Sequence, residues 1–260
     1  MQKRDVLTDV NIIKHLKNSE IFDIRCYNTV SSTNILLKEA AAAGAKEGTV
    51  VVADSQTAGK GRMGRSFHSP DGTGLYMSLL LRPDMETAGR ITTMAAVAVC
   101  RAAERVMGTK VDIKWVNDIL RDGKKVCGIL AEAASGNDGI AFVVLGIGVN
   151  VYVPEGGFPS ELADIAGALT EGVSPELRSK LAAAILDEFW MIYSGKENIA
   201  SEYNRRCMVP GKRISVIKGG ISQPALALWL DDSCCLAVRY DDGTTAVSYT
   251  HLTLPTMAVV

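Results

Sequence analysis

Between residues 21 and 150, short apolar runs alternate with clusters of glycine, proline, asparagine and aspartate. Residues 21–27, 49–53, 74–81, 111–115, 126–134 and 140–149 are brief and rich in β-branched or leucine side chains, so each predicts a buried strand. Ser135-Gly136-Asn137-Asp138-Gly139 separates the last two as a hairpin signal. Helical spacing appears in four places. Residues 5–19 carry Val6, Val10, Ile13 and Leu16 behind a Thr8 cap, and residues 34–43 follow a cap among Ser31, Ser32 and Thr33, a helix start that also suits an anion. Residues 92–107 are alanine-rich, and residues 175–193 set Leu181, Ile185, Phe189 and Ile192 near one face. The expected layout is α+β, a sheet with helices on one side. After Met208-Val209-Pro210-Gly211 the texture changes to short β-rich stretches at 212–218, 224–230 and 234–240, divided by Gly219-Gly220 and Asp231-Asp232, which predicts a small all-β domain.

Composition narrows the class. The 260 residues are 47% hydrophobic and 22% charged, ordinary globular usage with room for a large domain plus a small one. With 28 Lys plus Arg against 29 Asp plus Glu there is no global attraction to nucleic acid, so any anion binding is local. The longest apolar windows fall short of the roughly 20 residues a bilayer needs, and the polar start Met1-Gln2-Lys3-Arg4-Asp5 does not read as a signal peptide. Six cysteines without C-x-x-C pairing and three scattered histidines argue against structural zinc and for a reduced, cytoplasmic chain.

One loop stands out. Asp54-Ser55-Gln56-Thr57-Ala58-Gly59-Lys60-Gly61-Arg62-Met63-Gly64-Arg65-Ser66-Phe67-His68 follows a strand and combines glycines, which let N–H groups turn toward an anion, with Lys60, Arg62 and Arg65. Gly59-x-Gly61-x-x-Gly64 has the dinucleotide spacing, but Ser69-Pro70-Asp71-Gly72-Thr73-Gly74 follows where a Rossmann turn needs a helix. A phosphate-binding P-loop fails at Asp54 and Gly61. A solvated basic hairpin loop remains open for this segment taken alone.

Three further motifs bear on that choice. Lys114-Trp115-Val116-Asn117-Asp118 ends a strand and reads equally as a plain hairpin turn. Lys124-Lys125-Val126-Cys127-Gly128-Ile129-Leu130-Ala131-Glu132 brings a lysine pair into a buried strand, and those lysines alone are a solvated turn. Leu145-Gly146-Ile147-Gly148-Val149-Asn150 places two glycines inside a strand, which marks close approach of a ligand or of other backbone.

Together, from about residue 31 to residue 248, these motifs resemble the biotin protein ligases, also called biotin–acetyl-CoA-carboxylase ligases. The order of Ser-Thr-Asn, the Gln before the Gly/Arg loop, Lys-Trp-x-Asn-Asp, Lys-x-x-Gly-Ile-Leu and Gly-Ile-Gly-x-Asn carries the likeness. The resemblance implies a mixed-sheet catalytic domain related to class II aminoacyl-tRNA synthetases and a small C-terminal SH3-like β-barrel. It implies biotin and MgATP as substrates, biotinyl-5′-AMP as intermediate, and a lysine of a biotin carboxyl carrier protein as acceptor. By the same resemblance Ser32, Thr33, Asn34, Gln56, Gly59, Lys60, Gly61, Gly128 and Gly146 surround biotin, and Lys125 bridges its carboxylate and the α-phosphate. Arg62, which also contacts biotin and takes part in catalysis, and Arg65 hold phosphates and order the loop. Lys114, Trp115, Asn117 and Asn150 serve the nucleotide, Mg2+ arrives with ATP rather than on a protein site, and Asp118 orients or deprotonates the incoming lysine.

The departures are Lys60 for the family's usual Arg, Val116 for Pro in the Trp-Pro-Asn-Asp motif, Phe67 where Trp is common, and Thr245-Ala246-Val247-Ser248 for Gly-Glu-Val-Ser. None deletes a charged catalytic group. Residues 1–25 are expected to be a helical lead-in, a possible remnant of the linker to a DNA-binding domain. Residues 26–208 are then the catalytic domain, 209–248 the SH3-like unit, and 249–260 an atypical tail. DNA binding is not expected without a helix-turn-helix domain, and a homodimer through the catalytic sheet is compatible. The rival readings are a lipoate or octanoate ligase or transferase of the same superfamily, and a nucleotide-binding regulatory module without turnover.

Overall fold

The computed structural model describes residues 5–248 apart from 137–138, 196 and 219–220. At its centre lie seven strands: β1 (Asp23–Val30), β2 (Thr49–Gln56), β3 (Gly74–Leu81), β4 (Asp112–Lys114), β5 (Asp118–Arg121), β6 (Lys124–Gly136) and β7 (Gly139–Asn150). They form one sheet in the order β1-β2-β3-β7-β6-β5-β4, with β1 and β2 parallel and the other neighbours antiparallel.

Strand alternation gives the sheet two different faces. Val50, Val52, Leu75, Met77, Leu79, Leu145 and Ile147 point to one face and are buried with α3 (Met85–Met107) and α4 (Leu177–Gly195) in the main core. Helix α3 begins earlier than the apolar pattern predicts because Asp84 caps it, accepting from the Thr87 N–H at 2.7 Å, and Gly108 at φ +64° ends it. The expected face of α4 (Leu181, Ile185, Phe189, Ile192) is buried.

The layout with helices on one side needs correction. Helix α2 (Thr33–Ala42) is the crossover between parallel strands β1 and β2, and its Leu37 and Ala41 pack on Val51, Leu80 and Val144 of the opposite face. The N-terminal helix also differs. Only α1 (Asp9–Ile13) forms, capped by Thr8 as expected, but Val6, Val10 and Ile13 are 52%, 69% and 40% exposed while Ile12 is buried. In so short a helix, burial follows from where the segment rests on the rest of the fold, with Lys14 and His15 paired to Glu176 just before α4.

Three elements escape the periodicity: β5, α5 (Ala200–Arg206) and the last strand of a second sheet. That sheet comprises β8 (Arg213–Lys218), β9 (Ile221–Leu230), β10 (Leu236–Tyr240) and β11 (Thr245–Ser248), an antiparallel meander in the order β11-β10-β9-β8. The tail at 249–260, the turn residues Asn137 and Asp138, and Gly219-Gly220 lie outside the described residues. Among the described residues, no helix is long and apolar enough to cross a membrane.

Candidate active site

Helix α2 covers only part of its face of the sheet. Beyond it, Tyr76 of β3, Gly128 and Leu130 of β6, and Gly146 and Gly148 of β7 line a cleft. Ser32, Thr33 and Asn34, Gln56, and Lys60, Gly61 and Arg62 of the loop complete its walls. Eight of the nine residues expected to surround biotin therefore share one cavity with Lys125 and Arg62. Gly59 stands just behind them, where a Cβ would meet the Phe67 carbonyl oxygen at 2.5 Å.

One end of the cleft is a neutral, hydrogen-bonded shelf. Ser32 occupies the N-cap position of α2, yet it is the Gln56 Oε1 that accepts from the Thr33 N–H at 2.9 Å, satisfying a helix-start donor. Gln56 Nε2 donates to Ser69 Oγ at 2.9 Å. Beneath, Ser78 Oγ lies 2.7 Å from Thr33 Oγ1 and 2.6 Å from Asn34 Oδ1, while Asn34 Nδ2 donates to Glu132 at 2.7 Å. Burial works against charge on Glu132, but the Asn34 amide and the Lys38 ammonium outweigh it and hold the carboxyl below its ordinary pKa. This second layer fixes which way the Asn34 amide faces. It also explains Gly146, because a Cβ there would sit 2.2 Å from Asn34 Oδ1. Ser78 and Glu132 have no role in the sequence reading, although each interrupts an apolar run.

The other end is charged, and a β-bulge builds it. Asp118 pairs with Gly128 and Ile119 with Cys127, but Leu120 pairs with Lys125, so Val126 is an extra residue in β6. The phase shift brings Lys125 onto the face that carries Gly128 and Asp118, and Lys125 Nζ lies 2.7 Å from Asp118 Oδ1. Arg62 Nη1 donates to Asn117 Oδ1 at 3.0 Å, and Asn117 Nδ2 donates to the Ile129 carbonyl at 2.9 Å, so the glycine loop is tied to β6 through one amide. Burial lowers the Arg62 pKa from its ordinary value and nearby Asp118 offsets part of that. The loop closes on itself through Phe67 N–H to the Gly59 carbonyl and Gly61 N–H to the Arg65 carbonyl, with Met63 and Gly64 at positive φ at its tip. Phe67 overlies Gly148 and Gly128, where Cβ atoms would approach its ring to 2.7 and 3.1 Å.

Lys125 and Phe67 also line an adjoining cleft shared with Arg65, His68, Lys114, Asp118 and Asn150. Four cationic or potentially cationic side chains there suit a polyphosphate. Asn150 Nδ2 donates to the Gly167 carbonyl, holding the segment that forms the cleft's far wall. Trp115 lines neither cleft; its indole donates to the Cys234 carbonyl at 2.9 Å, against the second sheet.

Residues 26–150 match the model of the Biotin/lipoate A/B protein ligase family. The bifunctional ligase/repressor BirA of Bacillus subtilis (strain 168) is 46% identical over 153 residues, 58% of this chain and 47% of that protein, so the match spans about half the relative's length. The biotin--[acetyl-CoA-carboxylase] ligase of Mycobacterium tuberculosis is 32% identical over 232 residues, 84% of this chain and 83% of that protein. The chain belongs to the biotin protein ligase family. The family fold is confirmed by the biotin protein ligase of Aquifex aeolicus, solved in complex with biotin and ATP, which aligns at a TM-score of 0.70 and 23% identity over 88% of this chain and 96% of that one.

Proposed function

We propose that the chain is an ATP-dependent biotin ligase that makes biotinyl-5′-AMP and transfers biotin to a lysine of a biotin carboxyl carrier protein. The observation that carries this reading is the position of Lys125, which lines both the cleft with the neutral shelf and the adjoining cationic cleft. Adenylation brings two anions together, and an ammonium at the junction lowers the repulsion as the biotin carboxylate oxygen attacks the α-phosphorus and pyrophosphate leaves. The neutral shelf of Ser32, Thr33, Asn34 and Gln56 suits the uncharged ureido ring. Arg65, Lys114 and Asn150 suit the phosphates of a nucleotide that enters with its magnesium.

In the second step the carrier amine attacks the acyl carbonyl and AMP departs. We assign Asp118, 2.7 Å from Lys125, to orient that amine and take its proton. The Mycobacterium tuberculosis relative, a biotin--[acetyl-CoA-carboxylase] ligase, supports the carrier as substrate. We read the C-terminal meander as the family's SH3-like unit and the cytoplasm as the site of action.

Pyrophosphate release with biotin, with lipoate and with neither tests the reading. Release with biotin alone is expected; release with lipoate but not biotin would overturn it in favour of the lipoate branch, and no release with either would favour a binding module. Within the same reading, Gly146→Ala forces Asn34 off its partners and is expected to weaken biotin binding about tenfold, the equivalent of roughly one displaced polar contact. Calorimetric titration reads this directly, and unchanged affinity would remove Asn34 from the shelf.

A further inference from the structure

The turn between β4 and β5 carries Asn117 and leads into Asp118, the first residue of β5, which the sheet holds by pairing with Lys114 and Gly128. Two further contacts reach this turn from outside the catalytic sheet. Tyr203 of α5 is fully buried, and its hydroxyl donates to the Val116 carbonyl at 2.9 Å. The Trp115 indole, in the same turn, reaches the Cys234 carbonyl. Burial also pushes the Tyr203 phenol pKa well above its ordinary value, which keeps the donor proton in place.

Helix α5 is itself held rigidly. Arg101 of α3 bonds Glu202 at 2.5 Å, Arg206 grips Glu104 at 2.7 and 2.9 Å, and the chain leaving the helix pairs with β4 through Ile113 and Cys207. A short helix of unremarkable sequence is thus braced against α3 and the sheet edge, and presents one hydroxyl to the backbone beside Asn117. Asn117 holds Arg62, and Asp118 holds Lys125.

We propose that Tyr203 is a positioning residue for the adenylation half-reaction. By fixing the Val116 carbonyl it sets the Asn117 amide that ties down the glycine loop and the carboxylate that faces Lys125. The neutral shelf, built on α2, β2, β3, β6 and β7, does not depend on it. This rests on the ligase reading given above.

Tyr203→Phe removes only the hydroxyl. In the full chain, the variant is expected to bind biotin within about twofold of the parent by calorimetry. Pyrophosphate release at saturating biotin should show a KM for MgATP raised by about tenfold, the scale of a small misplacement of reacting groups. A purely structural role would lower the melting temperature and the active fraction while leaving KM for MgATP unchanged, and that result overturns the proposal. So does an equal loss of biotin affinity. Trp115→Phe, which removes the other outside contact of the turn, should reproduce the same split should Tyr203→Phe fail to fold; unchanged ATP kinetics in that folded variant overturns the proposal as well. A parent protein that releases no pyrophosphate with biotin and MgATP defeats the ligase reading itself, whereas an active parent with an indifferent Tyr203→Phe variant defeats this inference alone.

Discussion

Replacing Lys125 by alanine is expected to slow pyrophosphate release about 10²–10³-fold, with biotin binding reduced far less. The ammonium is the charged group common to the two clefts and sits 2.7 Å from Asp118. Its interaction with the substrates grows as charge accumulates between carboxylate and phosphorus, so the loss falls on the chemical step rather than on ground-state binding. Asp118 stays behind unpaired, which adds repulsion toward both anions. Lys125→Arg keeps the charge but not the compact point geometry and should recover only part of the rate. Single-turnover pyrophosphate release at saturating biotin and MgATP separates the effects; a Lys125→Ala rate within tenfold of the parent removes the residue from adenylation.

Lys125 also shows where sequence reasoning reaches its limit. Its motif was readable, but a residue one position before a buried valine in a strand should point away from Gly128, and only the bulge at Val126 reverses this. Pairing register is a property of two strands, and β5 has too few residues to announce itself by periodicity. The strand glycines were legible as points of close approach, yet what approaches Gly146 is Asn34, and what approaches Gly148 is Phe67. The core strands could be read because β-branched runs bounded by turn residues have one reading. Helix α5 could not, since its seven residues hold Tyr203 as the one large apolar body among polar neighbours. The face covered by α2 was missed because side-of-sheet follows from the parallel pairing of β1 with β2, which no local pattern records.

The second large effect is expected at Arg178, far from any motif. It is 2% exposed, yet donates to the Asp5 carboxylate and carbonyl, to Asp54 and to the Gly74 carbonyl, pinning the N-terminal segment to the end of β2 and the start of β3. Asp54 leads directly into Gln56 of the shelf. Arg178→Met keeps much of the volume but leaves two carboxylates without their cation, which costs about 3–5 kcal/mol, roughly 10 °C in melting temperature for a chain of this size. The pH dependence gives the argument its sign. Burial opposes charge on Asp54, but bonds from Asp71, Arg178 and the Gly72 backbone outweigh it and hold the carboxyl below its ordinary value. A depressed folded pKa contributes stability above the unfolded value of about 4 and loses it as pH falls through the folded value. The gap between parent and variant should therefore be widest above about pH 5 and shrink in acid, and a gap that stays constant down to about pH 3 would show that Arg178 acts by packing alone. Adding Asp54→Asn to Arg178→Met removes one stranded charge, so the double variant should melt above the single one; the coupling measures how much of the penalty comes from the carboxylate at the base of the shelf.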